Sequence, residues 1–103
     1  MTAQIKIPFQ PAILAEICLK YHIRKLALFG SVLRDDFHPE SDVDILLEFE
    51  QGHTPDFFRL YDIEQEFSEL FGGRAIDLVT FRGLNRHLRK SVLETAVTLY
   101  EQR

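Results

Sequence analysis

Three aspartates, Asp42, Asp44 and Asp77, are the residues of this sequence whose spacing most clearly indicates chemistry. The first two begin an apolar run at 43–49 (VDILLEF) that is typical of a buried β-strand, and the third lies within a similar run at 75–80 (AIDLVT). Side chains alternate across a strand, so the acids of each run face away from its apolar residues. We expect all three carboxylates to converge on one uncovered face of a sheet.

Carboxylates gathered in this way repel one another unless a cation neutralises them. Mg²⁺ suits such hard oxygen ligands, and proteins commonly hold it with one or two carboxylates plus substrate phosphates. The spacing therefore predicts a metal-dependent phosphoryl-transfer site that binds one or two Mg²⁺ ions through Asp42, Asp44 and Asp77. The alternative is that Asp42 is a turn residue, Asp44 is solvated, and Asp77 pairs with Arg74.

A Gly-Ser pair precedes the acids at a fixed distance. Gly30 ends the apolar run KLALFG at 25–30, Ser31 follows it, and ten residues later comes Asp42-Val43-Asp44. Glycine allows a sharp turn and the close approach of a phosphate, and the backbone N–H groups at a helix start bind anions. We predict that Gly30 and Ser31 hold the triphosphate of a nucleotide.

The elements that must position these residues follow from apolar spacing, caps and breakers. Thr54 is predicted to cap a largely aromatic helix with Pro55 at its first position, and Gly72-Gly73 to end it. A short helical turn is expected near 31–36. The main elements are a helix at 11–22, strands at 25–30 and 43–49, a helix from 54 to 71, a strand at 75–80 and a helix at 84–101.

The predicted order, α-β-β-α-β-α, indicates an α/β (α+β) fold. A helix joins the last two strands, which favours a parallel pair with a right-handed crossover. We expect one domain over residues 1–103, with a small mixed β-sheet and helices on one face.

Composition narrows the function classes. The chain is 46% hydrophobic and 27% charged, and it contains no apolar run of membrane-spanning length, so a cytoplasmic location is expected. Cys18 is the only cysteine, which excludes an internal disulfide, and its apolar surroundings favour a buried thiol. The net charge of −4 argues against direct binding of a long polynucleotide.

The run LFGSVLRDDFHPESDVDILLEF resembles the signature of the minimal nucleotidyltransferase (MNT) domains of the DNA polymerase β superfamily. The similarity continues through HTPDFFRLYDIEQEFSELF, AIDLVT and LRKSVLETAVTLYE, and so covers nearly the whole chain. It implies a polymerase-β-type fold in which Gly30 and Ser31 hold the triphosphate and the three aspartates hold metal. Arg34 matches an arginine that supports the phosphates or the loop, whereas His38 stands where relatives often carry arginine.

The resemblance also implies a role as the MntA-like antitoxin of a HEPN/MNT toxin–antitoxin module, whose HEPN ribonuclease toxin receives AMP from ATP. Because the chain has no room for a separate acceptor-binding domain, we expect the acceptor to be a partner protein. An exposed patch on the aromatic helix, with Phe58 as a candidate, is expected to contact that partner.

Two other functions compete with this prediction. In the first, the domain is a non-catalytic nucleotide-binding antitoxin or adaptor that neutralises its partner by complex formation alone. In the second, it modifies a small molecule or RNA. This alternative would gain support if the basic residues near the last helix lined the cleft: Arg82, Arg86, Arg89 and Lys90.

Overall fold

The structure is a computed structural model that describes residues 7–33 and 41–102, with Ser31 described by its backbone alone. The elements are α1 (Pro11–Lys20), β1 (Ile23–Phe29), a 3₁₀ helix (Gly30–Leu33), β2 (Val43–Phe49), α2 (Phe57–Leu70), β3 (Ile76–Thr80), α3 (Arg86–Thr95) and β4 (Val97–Glu101). The predicted mixed α/β class is confirmed.

The strands form one mixed sheet in the order β3-β2-β1-β4. β1 is antiparallel to both β2 and β4, whereas β2 and β3 are parallel, as expected for two strands joined through α2. Both inner strands, β1 and β2, are rich in apolar side chains because most of their residues are buried.

The predicted final helix at 84–101 is wrong in its second half. The helix ends at Thr95, Ala96 adopts an extended conformation, and Val97–Glu101 forms β4 against β1. Valine, threonine and tyrosine favour strands, and the free edge of β1 supplies hydrogen-bond partners that a longer helix would leave unpaired. The predicted element order therefore lacked one strand.

Helices cover both faces of the sheet, in contrast to the prediction of one. α1 and α2 pack with alternate strand residues such as Leu26, Ile45 and Leu47 in the main core. The opposite face has a smaller cluster, in which Leu84 and Val92 pack on Ala27 and Leu46. The face that carries Asp44 is therefore partly covered by α3.

The start of α2 also differs in detail from the prediction. Its cap is Asp56, whose carboxylate accepts a hydrogen bond from the Arg59 backbone N–H at 2.9 Å, in place of Thr54. At the other end, Gly72 and Gly73 adopt positive φ angles of 78° and 88°, as predicted for a helix stop.

Cys18 lies in the main core with no exposed surface. Burial raises the pKa of its thiol to about 12, so the thiolate needed for nucleophilic chemistry does not form at neutral pH. The prediction of a buried, unreactive cysteine is confirmed. No helix in the described ranges is long and apolar enough to cross a bilayer.

Candidate active site

The candidate site lies at one end of the sheet, where β1 finishes and β2 and β3 begin. Phe29 pairs with Asp44 in the antiparallel ladder, and Asp44 pairs with Asp77 in the parallel one. Paired positions on neighbouring strands are about 4.8 Å apart and place their side chains on the same face. The register thus brings together two of the predicted acids and the Gly-Ser bend.

Gly30 is required at the turn after β1 for two reasons. Its φ of +77° is a conformation that favours glycine, and a Cβ at this position would overlap the Oδ2 atom of Asp44. The absence of a side chain therefore lets the backbone bend directly against the Asp44 carboxylate. The group that approaches Gly30 here is the acid itself, and the predicted approach of a phosphate stays a prediction.

The 3₁₀ helix that begins at Gly30 is anchored by Val32, which is fully buried in the main core. Its length of four residues agrees with the helical turn expected near this point. The backbone of Ser31 belongs to this turn. The side chain of Ser31, and the whole of Arg34 and His38, lie outside the described residues, so their predicted roles stay predictions.

Asp42 immediately precedes β2, and its two chain neighbours are held by the segment before β3. The Val43 N–H donates to the Ala75 carbonyl at 2.9 Å, and Arg74 Nη1 donates to the Ser41 carbonyl at 3.3 Å. Asp42 is exposed and Asp44 half-buried. The start of β2 is thus fixed from the β3 side, with its acids left beside solvent.

Asp77 is exposed on β3, next to Asp44 in the register. Within residues 7–33 and 41–102, no three histidine, cysteine, aspartate or glutamate side chains are drawn close enough to hold a metal ion between them. The oxygen donors at the sheet end are of the type that Mg²⁺ prefers, and this ion completes its coordination with water and phosphate oxygens. The donor set therefore fits Mg²⁺ held jointly with a nucleotide.

Two of the four basic residues near α3 lie away from these acids. Arg82 and Arg89 lie beyond the far end of β3, where the Arg89 guanidinium sits over the Phe81 ring at 5.3 Å from its centroid. Arg86 and Lys90 are exposed. The positions of Arg82 and Arg89 therefore give no support to the RNA or small-molecule alternative.

One contact at the site was missed by sequence reasoning. Arg74 entered only as a pairing partner of Asp77 in the alternative interpretation, whereas its guanidinium reaches the carbonyl of Ser41. The two residues are 33 positions apart. The only signal in the sequence is a basic residue before the strand that carries Asp77.

A family model described as polymerase beta nucleotidyltransferase matches residues 13–103. A Methanocaldococcus jannaschii protein that is by name a protein adenylyltransferase is 35% identical over 79 residues, covering 76% of this chain and 78% of its own. The protein adenylyltransferase MntA of Thermococcus cleftensis is 33% identical over 82 residues, covering 80% of each chain.

Solved structures agree with these relatives. A structure described as a minimal nucleotidyltransferase superposes with a TM-score of 0.68 at 34% identity, covering 84% of each chain. A toxin–antitoxin structure with AMP-PNP gives a TM-score of 0.71 at 20% identity, covering 91% of this chain and 75% of that one, and shows the same fold.

The matched segment includes the Gly30 bend and all three aspartates. Together, the match over most of the chain, the relatives above 30% identity and the shared fold establish that this protein belongs to the polymerase-β nucleotidyltransferase family.

Proposed function

We propose that this protein is an antitoxin that transfers AMP from ATP to a hydroxyl group of a HEPN toxin in the cytoplasm. The family establishes nucleotidyl transfer, and the curated relatives are by name protein adenylyltransferases. One structural neighbour is described as a tri-AMPylated Shewanella oneidensis HEPN toxin in complex with an MNT antitoxin; it has a TM-score of 0.63 and 19% identity and covers 89% of this chain and 70% of that one.

The observation that carries the proposal is the Phe29–Asp44–Asp77 register, with Gly30 against the Asp44 carboxylate. The Gly30 bend and two oxygen-donor side chains thus lie at the same end of the sheet. A triphosphate seated at the bend would have its negative charge directly beside the acids, which is favourable only when divalent cations lie between them.

In the proposed site, Asp42 and Asp44 hold Mg²⁺, and Asp77 holds a second ion or orients the acceptor. Gly30 and Ser31 cradle the phosphates, with Arg34 supporting them as the resemblance implies. Bound Mg²⁺ supplies neutralisation of the phosphate charge and activation of the acceptor oxygen. These residues contribute mainly by positioning the reactants and by fixing the electrostatics before the reaction.

The chemical step is an in-line displacement at the α-phosphorus. A bond forms between the acceptor oxygen and this phosphorus, the bond to the β-phosphate oxygen breaks, and pyrophosphate leaves. The acceptor hydroxyl releases its proton to solvent water in the same step. A protein acceptor agrees with the curated relatives, which are by name protein adenylyltransferases.

The test is transfer of label from α-labelled ATP to the partner HEPN protein with Mg²⁺, together with pyrophosphate release. Asp44→Asn should lower the rate of both at least about 100-fold, because a neutral amide is a poor ligand for Mg²⁺. Glu48→Gln is the matched control, since Glu48 lies on the same face of β2 and pairs with Arg24 at 2.7 Å, away from the bend.

The binding-only alternative is separated by measuring neutralisation of the toxin in cells. A catalytic antitoxin loses protection in the Asp42→Ala, Asp44→Ala double variant, whereas an antitoxin that acts by complex formation keeps it. Equal transfer by wild type and Asp44→Asn would contradict the proposed function.

A further inference from the structure

Arg74 connects the two acidic segments of the site through its side chain. It lies in the loop between α2 and β3, three residues before Asp77, and its half-buried guanidinium donates to the Ser41 carbonyl at 3.3 Å. Ser41 directly precedes Asp42. The side chain therefore contacts the backbone beside one candidate metal ligand from the loop that leads to another.

The backbone of Arg74 is itself fixed by the last turn of α2. The Ser68 hydroxyl donates to the Arg74 carbonyl at 2.7 Å, and the Gly73 N–H donates to the Ser68 carbonyl, also at 2.7 Å. Ser68 thus accepts from one residue of the loop and donates to the next. The guanidinium reaches Ser41 from a base that the helix holds in place.

A second contact, from the adjacent residue, completes the arrangement. The Val43 N–H donates to the Ala75 carbonyl at 2.9 Å, so consecutive residues of the loop hold the residues on both sides of Asp42. A backbone held on both sides has little freedom to shift its side chain. The position of Asp42 is thereby set relative to the strand that carries Asp77.

We propose that Arg74 is a positioning residue of the nucleotidyl-transfer site, which fixes the start of β2 so that Asp42 can hold Mg²⁺ beside Asp44. This inference rests on the proposed function. Arginine suits the role because its planar group offers several donors in a fixed geometry, so it can hold the Ser41 carbonyl from the neighbouring loop. Residues that orient metal ligands typically change metal affinity 10- to 100-fold when replaced.

The test compares Arg74→Ala and Arg74→Lys with the control Arg82→Ala, an exposed arginine beyond the far end of β3. Binding of Mn²⁺ is titrated by electron paramagnetic resonance in the presence of AMP-PNP, which needs no turnover. The Mg²⁺ concentration for half-maximal AMP transfer is measured in parallel. We expect Arg74→Ala to lower the Mn²⁺ affinity about 10-fold and to raise the Mg²⁺ concentration for half-maximal transfer by about the same factor. Arg74→Lys should change both values less, and Arg82→Ala should match wild type.

Ser68→Ala provides a milder variant that removes only the hydroxyl holding the Arg74 carbonyl, and about a two- to threefold loss of Mn²⁺ affinity is expected. If Arg74→Ala does not fold, Ser68→Ala and Arg74→Lys together test the positioning role of Arg74. Unchanged Mn²⁺ affinity in folded variants would overturn the inference, as would a loss that follows only the unfolded fraction seen by circular dichroism. A wild type that binds Mn²⁺ with AMP-PNP but transfers no AMP would instead refute the proposed function.

Discussion

The two faces of the sheet are built from alternate residues of the same strands, but they have opposite characters. One face packs against α1 and α2 in a core that includes the fully buried Phe67, Ile45 and Leu28. The other has a small cluster around Leu46 and Val92 and then, at the end of the sheet, the acids. The comparison shows that β2 contributes to the core with one set of residues and to the site with the other.

This division predicts that stability and chemistry can be altered separately. A substitution on the face that packs against α1 and α2 should reduce the free energy of unfolding and leave the geometry of the folded site unchanged. A substitution at the acidic end should change the geometry of the site and alter the free energy of unfolding less.

The largest effect is expected for Phe67→Ala, which removes a fully buried ring from the main core, between α2 and the sheet. The lost burial and the cavity left behind should lower the free energy of unfolding by about 3–5 kcal/mol. Chemical denaturation measures this change. Phe58→Ala on the same helix is the control, because Phe58 is 85% exposed and its removal should change stability little. Similar losses in both variants would contradict the packing described for α2.

The next largest effect is a loss of reaction rate, expected for Gly30→Ala at the acidic end. The added Cβ would displace the Asp44 carboxylate, and a misplacement of this kind costs about 100-fold in rate. Pyrophosphate release with the partner protein measures it. Gly52→Ala is a close match, since Gly52 has a φ of +81° but no atom near its Cβ position. Both variants share the backbone strain, so only Gly30→Ala should lose activity; equal losses would leave no role for the contact with Asp44.

The smallest effect concerns Glu66 at the seam between α1 and α2, where it accepts hydrogen bonds from Tyr21 and Lys20. Burial opposes its ionisation, but these bonds outweigh burial and lower the pKa of the Glu66 carboxyl below its ordinary value of 4.5. The folded state therefore gains stability above pH 4.5 and loses that gain as the pH falls through the lowered pKa.

Because these side chains are partly exposed, the gain should stay below about 1 kcal/mol. Wild type should exceed Glu66→Gln in the free energy of unfolding at pH 7, and the difference should shrink towards pH 3. Urea titrations at the two pH values measure it. A difference that grows in acid would contradict the lowered pKa of Glu66.

The sequence predicted elements best where the local pattern had a single interpretation. The alternation of apolar and acidic residues in VDILLEF matches the observed strand Val43–Phe49 at both ends. The Gly72-Gly73 stop likewise needs only local backbone conformation. Both signals are contained in a few adjacent residues.

The end of the chain shows why other elements could not be predicted in the same way. Val92, Ala96 and Leu99 satisfy a helical spacing, but the last two lie beyond the helix because β1 offers an edge for pairing. That edge is formed by residues some seventy positions earlier, and local spacing does not report it. The contact between Arg74 and Ser41 was missed for the same reason, since it depends on the folded sheet.

The strand order gives the two halves of the site different numbers of hydrogen-bonded neighbouring strands. β1, which leads into the Gly30 bend, is hydrogen-bonded on both sides by β2 and β4, whereas β3, which carries Asp77, is bonded along one side by β2. An edge strand yields more readily than an interior one. In the proposed reaction, the end that would bind the nucleotide is therefore the better anchored, and the Asp77 end would be the freer to adjust when an acceptor protein binds.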